Sequence, residues 1–179
     1  MKTGWKLFCY SVMTSVFLCG MTGCQRVPSY DEKPVFSNLT AQERTLLGEI
    51  DRSGIQVIRQ GMVYIFMIPT DCFFTHTTHE LKRHRPKDLD RLALFVRLYM
   101  RYYQHPRVTI IGYTDKVWLM PTRKTLSLHY AQIVADYFRM DDVNPDRIIV
   151  KGMGAEDPIA SNGYPMGTSF NKRVTVMVD

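Results

Sequence analysis

The distribution of apolar and polar positions divides the chain into three stretches. Behind Lys2 and Lys6, an uncharged and mostly apolar run extends from Leu7 to Thr22. A membrane span needs about 20 apolar residues, so this shorter run has the proportions of a signal-peptide core. Residues 25–40 show no periodicity and carry Pro28, Ser29, Pro34 and Ser37, which is the pattern of a tether. Fully stretched, such a tether reaches at most about 55 Å. From Thr40 onward the pattern is periodic.

That periodicity predicts the elements of one folded unit. Thr40 and Glu43 have capping-box spacing for a short helix to about Arg52, with Leu46, Leu47 and Ile50 on one side. A hairpin follows. Ile55, Val57 and Arg59 precede Gln60-Gly61, where glycine suits a tight turn, and Met62 to Ile68 forms an apolar strand ended by Pro69-Thr70-Asp71. The polar, histidine-rich stretch from Phe73 to Lys87 reads as a loop. A helix from about Pro86 or Lys87 to Tyr102 presents Leu89, Leu92, Val96 and Tyr99 on one stripe, with Ala93 beside them. Arg91, Arg97 and Arg101 face elsewhere, and Pro106 breaks the helix.

Val108 to Ile111 is a short buried strand leading into Gly112-Tyr113-Thr114-Asp115. A second long helix, from about Thr122 or Arg123 to Arg139, takes Leu126, Ile133, Val134 and Tyr137 as its buried stripe. Ile148 to Val150 and Arg173 to Val178 are the last two strands. Helices falling between strands point to an α+β sandwich with helices on one face of the sheet.

Composition changes the picture at the N-terminus. The leader ends in Met21-Thr22-Gly23-Cys24, which resembles a bacterial lipobox with Cys24 as the lipidated residue. The bland alternative is an ordinary cleaved signal or an uncleaved anchor. Each buried methylene contributes about 0.8 kcal/mol, and stable anchoring takes more than one acyl chain. Three chains on Cys24 would therefore hold the mature protein on a membrane. Gln25, rather than Asp, at the next position implies the outer membrane.

The expected organisation is thus a leader (1–23), a tether (24–40) and a periplasmic domain (41–179). Loss of Lys2 and Lys6 lowers the formal charge from +6 to +4, a mild excess that suits anionic neighbours and is too weak to argue for nucleic acid. Cys9 and Cys19 leave with the leader, so Cys72 has no intramolecular partner once Cys24 is acylated. Its simplest reading is a small buried apolar residue, with an intermolecular bridge as the alternative.

Three ordered motifs carry the chemistry. They are Gly112-Tyr113-Thr114-Asp115, then Leu126-Ser127 with Ala131, then Asn171-Lys172-Arg173-Val174. Together they resemble the G-H-T-D, L-S-x-x-R-A and N-R-R-V pattern of OmpA-like domains over roughly residues 54–179. The resemblance implies a mixed four-stranded sheet, plus a short N-terminal strand, with helices packed on one face. It also implies a ligand, the diaminopimelate of peptidoglycan, whose ammonium and carboxylate share one carbon.

On that resemblance Asp115 is the ammonium partner, with Thr114 beside it. Phe74 is the aromatic lining the groove, and Asn171 and Arg173 flank it. Tyr130 stands where the family has the arginine that pairs with the carboxylate. A phenol offers one neutral hydrogen bond in place of a charged fork. Arg123, two helical turns before Tyr130, is a candidate to restore the charge; a solvated first-turn residue is the alternative. Asp115 read without its neighbours would be a turn or capping aspartate.

The layout further resembles lipoprotein subunits of type IVB secretion core complexes. That implies other core subunits, the outer membrane and peptidoglycan as partners. No cofactor is implied. His76, His79 and His84 lack the spacing of a zinc-protease helix and the company of a carboxylate or cysteine cluster. No phosphate-binding loop and no G-x-S-x-G elbow occurs, which argues against an enzyme.

Overall fold

The computed structural model describes residues 39–116 and 120–179. The leader, Cys24 and most of the tether lie outside the described residues. Among the described residues, no helix is long and apolar enough to cross a membrane.

Helix α1 (Ala41–Arg52) begins at the predicted capping box. The Thr40 amide donates to the Glu43 carboxylate at 2.7 Å, and the Glu43 amide donates back to the Thr40 hydroxyl at 3.3 Å. The Glu43 side chain is fully buried. It also accepts from Arg101 Nη2 at 3.0 Å and from the Tyr102 hydroxyl at 3.1 Å. One carboxylate therefore caps α1 and fastens it to the end of the next long helix.

Strands β1 (Gln56–Gln60) and β2 (Val63–Pro69) form the hairpin, with Gly61 at φ +62 in the turn. The left-handed conformation there is why glycine occupies the position. Along β2, Tyr64, Phe66 and Ile68 are buried while the residues between them are half-buried, so one face carries the core.

A one-turn helix α2 (Thr70–Phe73) leaves the sheet, and α3 (Pro86–Tyr99) returns across it, followed by a 3-10 turn at Met100–Tyr102. Phe95 and Tyr99 of α3 meet Tyr64 edge-on at 5.3 and 4.8 Å between ring centroids. Such edge contacts contribute about 0.5–1.5 kcal/mol each beyond the area they bury. Strand β3 (Val108–Tyr113), helix α4 (Met120–Met140) and strand β4 (Ile148–Gly152) follow, then α5 (Pro165–Asn171) and β5 (Arg173–Val178).

The sheet order is β1-β2-β5-β3-β4. The last strand is inserted at the centre, antiparallel to both neighbours, so that Val176 lies between Phe66 and Ile110. Only β3 and β4 are parallel, which requires the long crossover that α4 supplies. The five strands and the helix layer agree with the α+β sandwich expected from the pattern.

Four expectations need correction. The stretch after Phe73 is not all loop: Phe73 and Phe74 are fully buried, and Phe74 pairs with Leu81 in an isolated bridge. Cys72 is exposed, because the turn of α2 points its neighbour Phe73 inward instead. The buried stripe of α4 is rotated from the predicted one. Ser127, Tyr130, Ala131, Val134, Ala135 and Phe138 are buried, while Leu126, Ile133 and Tyr137 are half-buried. Small residues let this helix sit close to the sheet, which a count of large apolar positions misses. Helix α5 was not predicted. Its Gly, Thr and Ser are weak helix formers, and it forms where Gly167 packs against the Ser161 carbonyl, 2.0 Å from where a Cβ would sit.

Candidate functional site

The site is built at the seam where α4 lies over the ends of β3 and β4. A Cβ on Gly112 would sit 1.8 Å from the Ser127 carbonyl oxygen, and one on Gly152 would sit 2.6 Å from the Leu128 amide nitrogen. Glycine is thus required by backbone approach at both positions. Ser127 is fully buried, and its hydroxyl accepts from the Gly154 amide at 2.9 Å. The Thr114 amide in turn donates to the Gly154 carbonyl at 2.7 Å. The Gly112 and Leu126-Ser127 motifs therefore hold the Thr114-Asp115 segment in place.

A cleft of about 230 Å³ opens beside it. Thr114 and Asp115, 4% and 5% exposed, form one wall, and Leu126 and Tyr130 of α4 another. Thr70 and Asp71 from the start of α2, His76 and His79 from the following loop, and Lys172 ahead of β5 complete it. The Thr70 amide donates to the Lys172 carbonyl at 3.0 Å, and Lys172 Nζ lies 2.6 Å from Asp71 Oδ2. The Thr114 hydroxyl is buried without a hydrogen-bond partner among the described residues.

Tyr130 is 7% exposed. Its ring packs on Phe74 at 4.6 Å, and its hydroxyl lies 2.8 Å from His79 Nδ1. Burial, and then the negative charges of Asp71 and Asp115, push the phenol up to about 12, so it is neutral in any physiological medium. His79 holds φ +58, an unfavourable conformation for a non-glycine residue that places its ring over the cleft edge.

The other candidates fall differently. Phe74 lies beneath Tyr130 as its support, fully buried. Arg123 donates to the Lys116 carbonyl and packs its Cβ against Gly154, outside the residues that line the cleft. Asn171 accepts from the Ile159 and Ala160 amides at 2.9 and 3.0 Å, which ties that loop to the end of α5. Arg173 is buried, stacks over Tyr113 at 3.9 Å and donates to the Asp157 carbonyl at 3.1 Å. Burial holds its guanidinium below the usual range. From the third motif it is Lys172 that reaches the cleft. Asp71, His76, His79 and Lys172 were missed as site residues; the two-residue offset of Asp71 from the end of β2 was the available signal.

The profile of the OmpA family matches residues 73–172, more than half of the chain. The chain belongs to the OmpA family. It is 29% identical over 138 residues to the probable lipoprotein YiaD of Escherichia coli, a match covering 77% of this chain and 61% of YiaD. It is 27% identical over 159 residues to the outer-membrane lipoprotein YfiB of Pseudomonas aeruginosa, covering 89% and 86%. It is 44% identical over 73 residues to the peptidoglycan-binding protein ArfA of Mycobacterium tuberculosis, covering 41% of this chain and 22% of ArfA. The chain therefore spans about three fifths of YiaD and about a fifth of ArfA. The cell wall anchor of the T6SS from Pseudomonas aeruginosa has the same fold, with a TM-score of 0.64 at 23% identity over 76% of this chain and 95% of that one.

Proposed function

We propose that this chain is a non-enzymatic outer-membrane lipoprotein, anchored through Cys24 with its domain in the periplasm, that serves as a structural component of a type IVB secretion core complex. Its peptidoglycan binding is weakened or altered. The observation that carries this reading is the altered wall of the cleft: Asp115 stands in a buried, built position, while the place of the guanidinium is taken by a neutral phenol bonded to a histidine. Losing a hydrogen bond to a charged group typically costs about 1.5–3 kcal/mol, or roughly 10- to 150-fold in affinity. The names of YiaD, YfiB and ArfA support the lipoprotein, outer-membrane and peptidoglycan parts. The three motifs with Tyr130 in the place of the family arginine make the sequence resemble the DotK (IcmN) lipoprotein of the Dot/Icm apparatus, which supports the secretion part.

The segment from Ile159 to Phe170 also favours assembly with other core subunits. Ile159, Tyr164, Met166 and Phe170 are all more than half exposed, and grouped apolar side chains on a surface mark interaction sites. The alternative is a cell-wall tether acting through Asp115, favoured by the survival of the cleft itself. Purification of the envelope complex under native conditions tests the first reading: the chain should co-purify with the core, and its absence from every such preparation would reject that role. Retention on purified peptidoglycan tests the second. If Asp115→Ala and wild type are retained equally, tethering through this site is rejected.

A further inference from the structure

We propose that the cleft selects a primary ammonium and does not require a carboxylate beside it, so that an amidated or lysine-type stem-peptide amine enters as readily as a zwitterionic one. This inference rests on the peptidoglycan reading above and names what the site selects within it.

The argument runs from the lining groups. Asp115 is buried at the cleft and, when ionised, only accepts hydrogen bonds. Next to it the Thr114 hydroxyl is 4% exposed and lacks a partner among the described residues. A hydroxyl oxygen and a carboxylate, side by side and buried, fit the several donors of an ammonium. The Thr114 hydroxyl oxygen retains acceptor capacity for a donor brought to the cleft.

Lys172, Tyr130 and His79, three of the groups that could read a carboxylate, are engaged with other side chains. Lys172 is the fixed cation among the described lining residues, and its ammonium sits 2.6 Å from Asp71. The Tyr130 hydroxyl and His79 Nδ1 are bonded to each other at 2.8 Å. Within that pair the phenol brings no formal charge of its own. Asp71 and Asp115 both disfavour a negative charge at Tyr130. A ligand carboxylate brought to the same wall would meet the charge of Asp115, that of Asp71 being paired with Lys172. Leu126 gives an apolar surface for methylenes, and about 230 Å³ is room for the end of an aminoalkyl chain rather than for a large ligand.

The test uses the purified mature lipidated chain in detergent micelles near neutral pH. Three synthetic stem tripeptides are titrated, identical except that the third residue is diaminopimelate, its side-chain amide, or lysine. The expected result is three dissociation constants within about threefold of one another, each weakened at least about tenfold by Asp115→Asn. A diaminopimelate peptide that binds about tenfold or more tightly than the other two overturns the inference and leaves the peptidoglycan reading standing, with Lys172 or a histidine as carboxylate reader. Binding of all three that is indifferent to Asp115→Asn also overturns it. If none of the three binds, the peptidoglycan reading falls and this inference with it. Tyr130→Arg should shift preference toward diaminopimelate by about tenfold or more, with circular dichroism confirming the fold; the wild-type ranking decides without it.

Discussion

The seam and the cleft wall lie one helical turn apart on α4, at Ser127 and Tyr130, and they tolerate change very differently. At the seam, backbone meets backbone: the Ser127 carbonyl is 1.8 Å from where a Gly112 Cβ would be. Nothing there can move without separating helix from sheet. At the wall, side chain meets side chain: Tyr130 rests on Phe74 and bonds His79, which comes from a surface loop. Such contacts can be rebuilt around a new residue. The contrast is between a backbone seam that fixes the fold and a side-chain wall that can vary within it. The Gly112 and Ser127 positions specify a scaffold, and in the function proposed above position 130 sets the ligand.

Gly112→Val should break the seam most severely. The added atoms overlap backbone, so the loss should reach about 3 kcal/mol or more, lowering Tm by roughly 8 °C. Thermal and urea unfolding measure it, and a loss under about 1 kcal/mol would mean the helix can lift off the sheet cheaply. Ser127→Ala should cost about 1–3 kcal/mol by leaving the buried Gly154 amide unpaired.

Glu43→Gln tests a third place, where α1 is fastened, and should cost about 1–2 kcal/mol near neutral pH. The pH dependence has a definite sign. Burial raises the Glu43 carboxyl, but hydrogen bonds from Thr40 and Tyr102 and the charge of Arg101 outweigh it, leaving it below its ordinary 4.5. A carboxyl lowered by folding stabilises fully above its unfolded value. That contribution disappears as pH falls below 4.5 through the folded value. Stability measured across that window should fall more steeply for wild type than for Glu43→Gln; parallel curves would remove Glu43 from the acid response. At the small end, Cys72→Ser should change stability by less than about 0.5 kcal/mol, because the residue is exposed. A larger loss would show that Cys72 packs against something.

Most elements were legible because their signals are local. The Thr40–Glu43 box, Gly61 in its turn, Pro86 opening a helix and the apolar run of β5 each act within a few residues. The site was legible in part. Asp115, Thr114 and Tyr130 line the cleft. Asn171 and Arg173 instead hold the loop around Asp157 to Ala160. Arg123 turns to the Lys116 carbonyl. A long, flexible arginine can reach many places, and its spacing along a helix fixes only where it starts.

By itself the sequence determined where helices and strands begin, which motif precedes which, and that position 130 cannot supply a guanidinium. Tertiary structure alone decided that the last strand enters the middle of the sheet. It also decided that Asp71, His79 and Lys172 line one cleft with Asp115 and Tyr130. The physical reason is range. Caps, turns and periodicity are interactions between near neighbours, and the chain carries them wherever it goes. Strand order and a cleft exist only after distant segments have packed, when burial of the whole sheet selects one arrangement among many with the same local pattern.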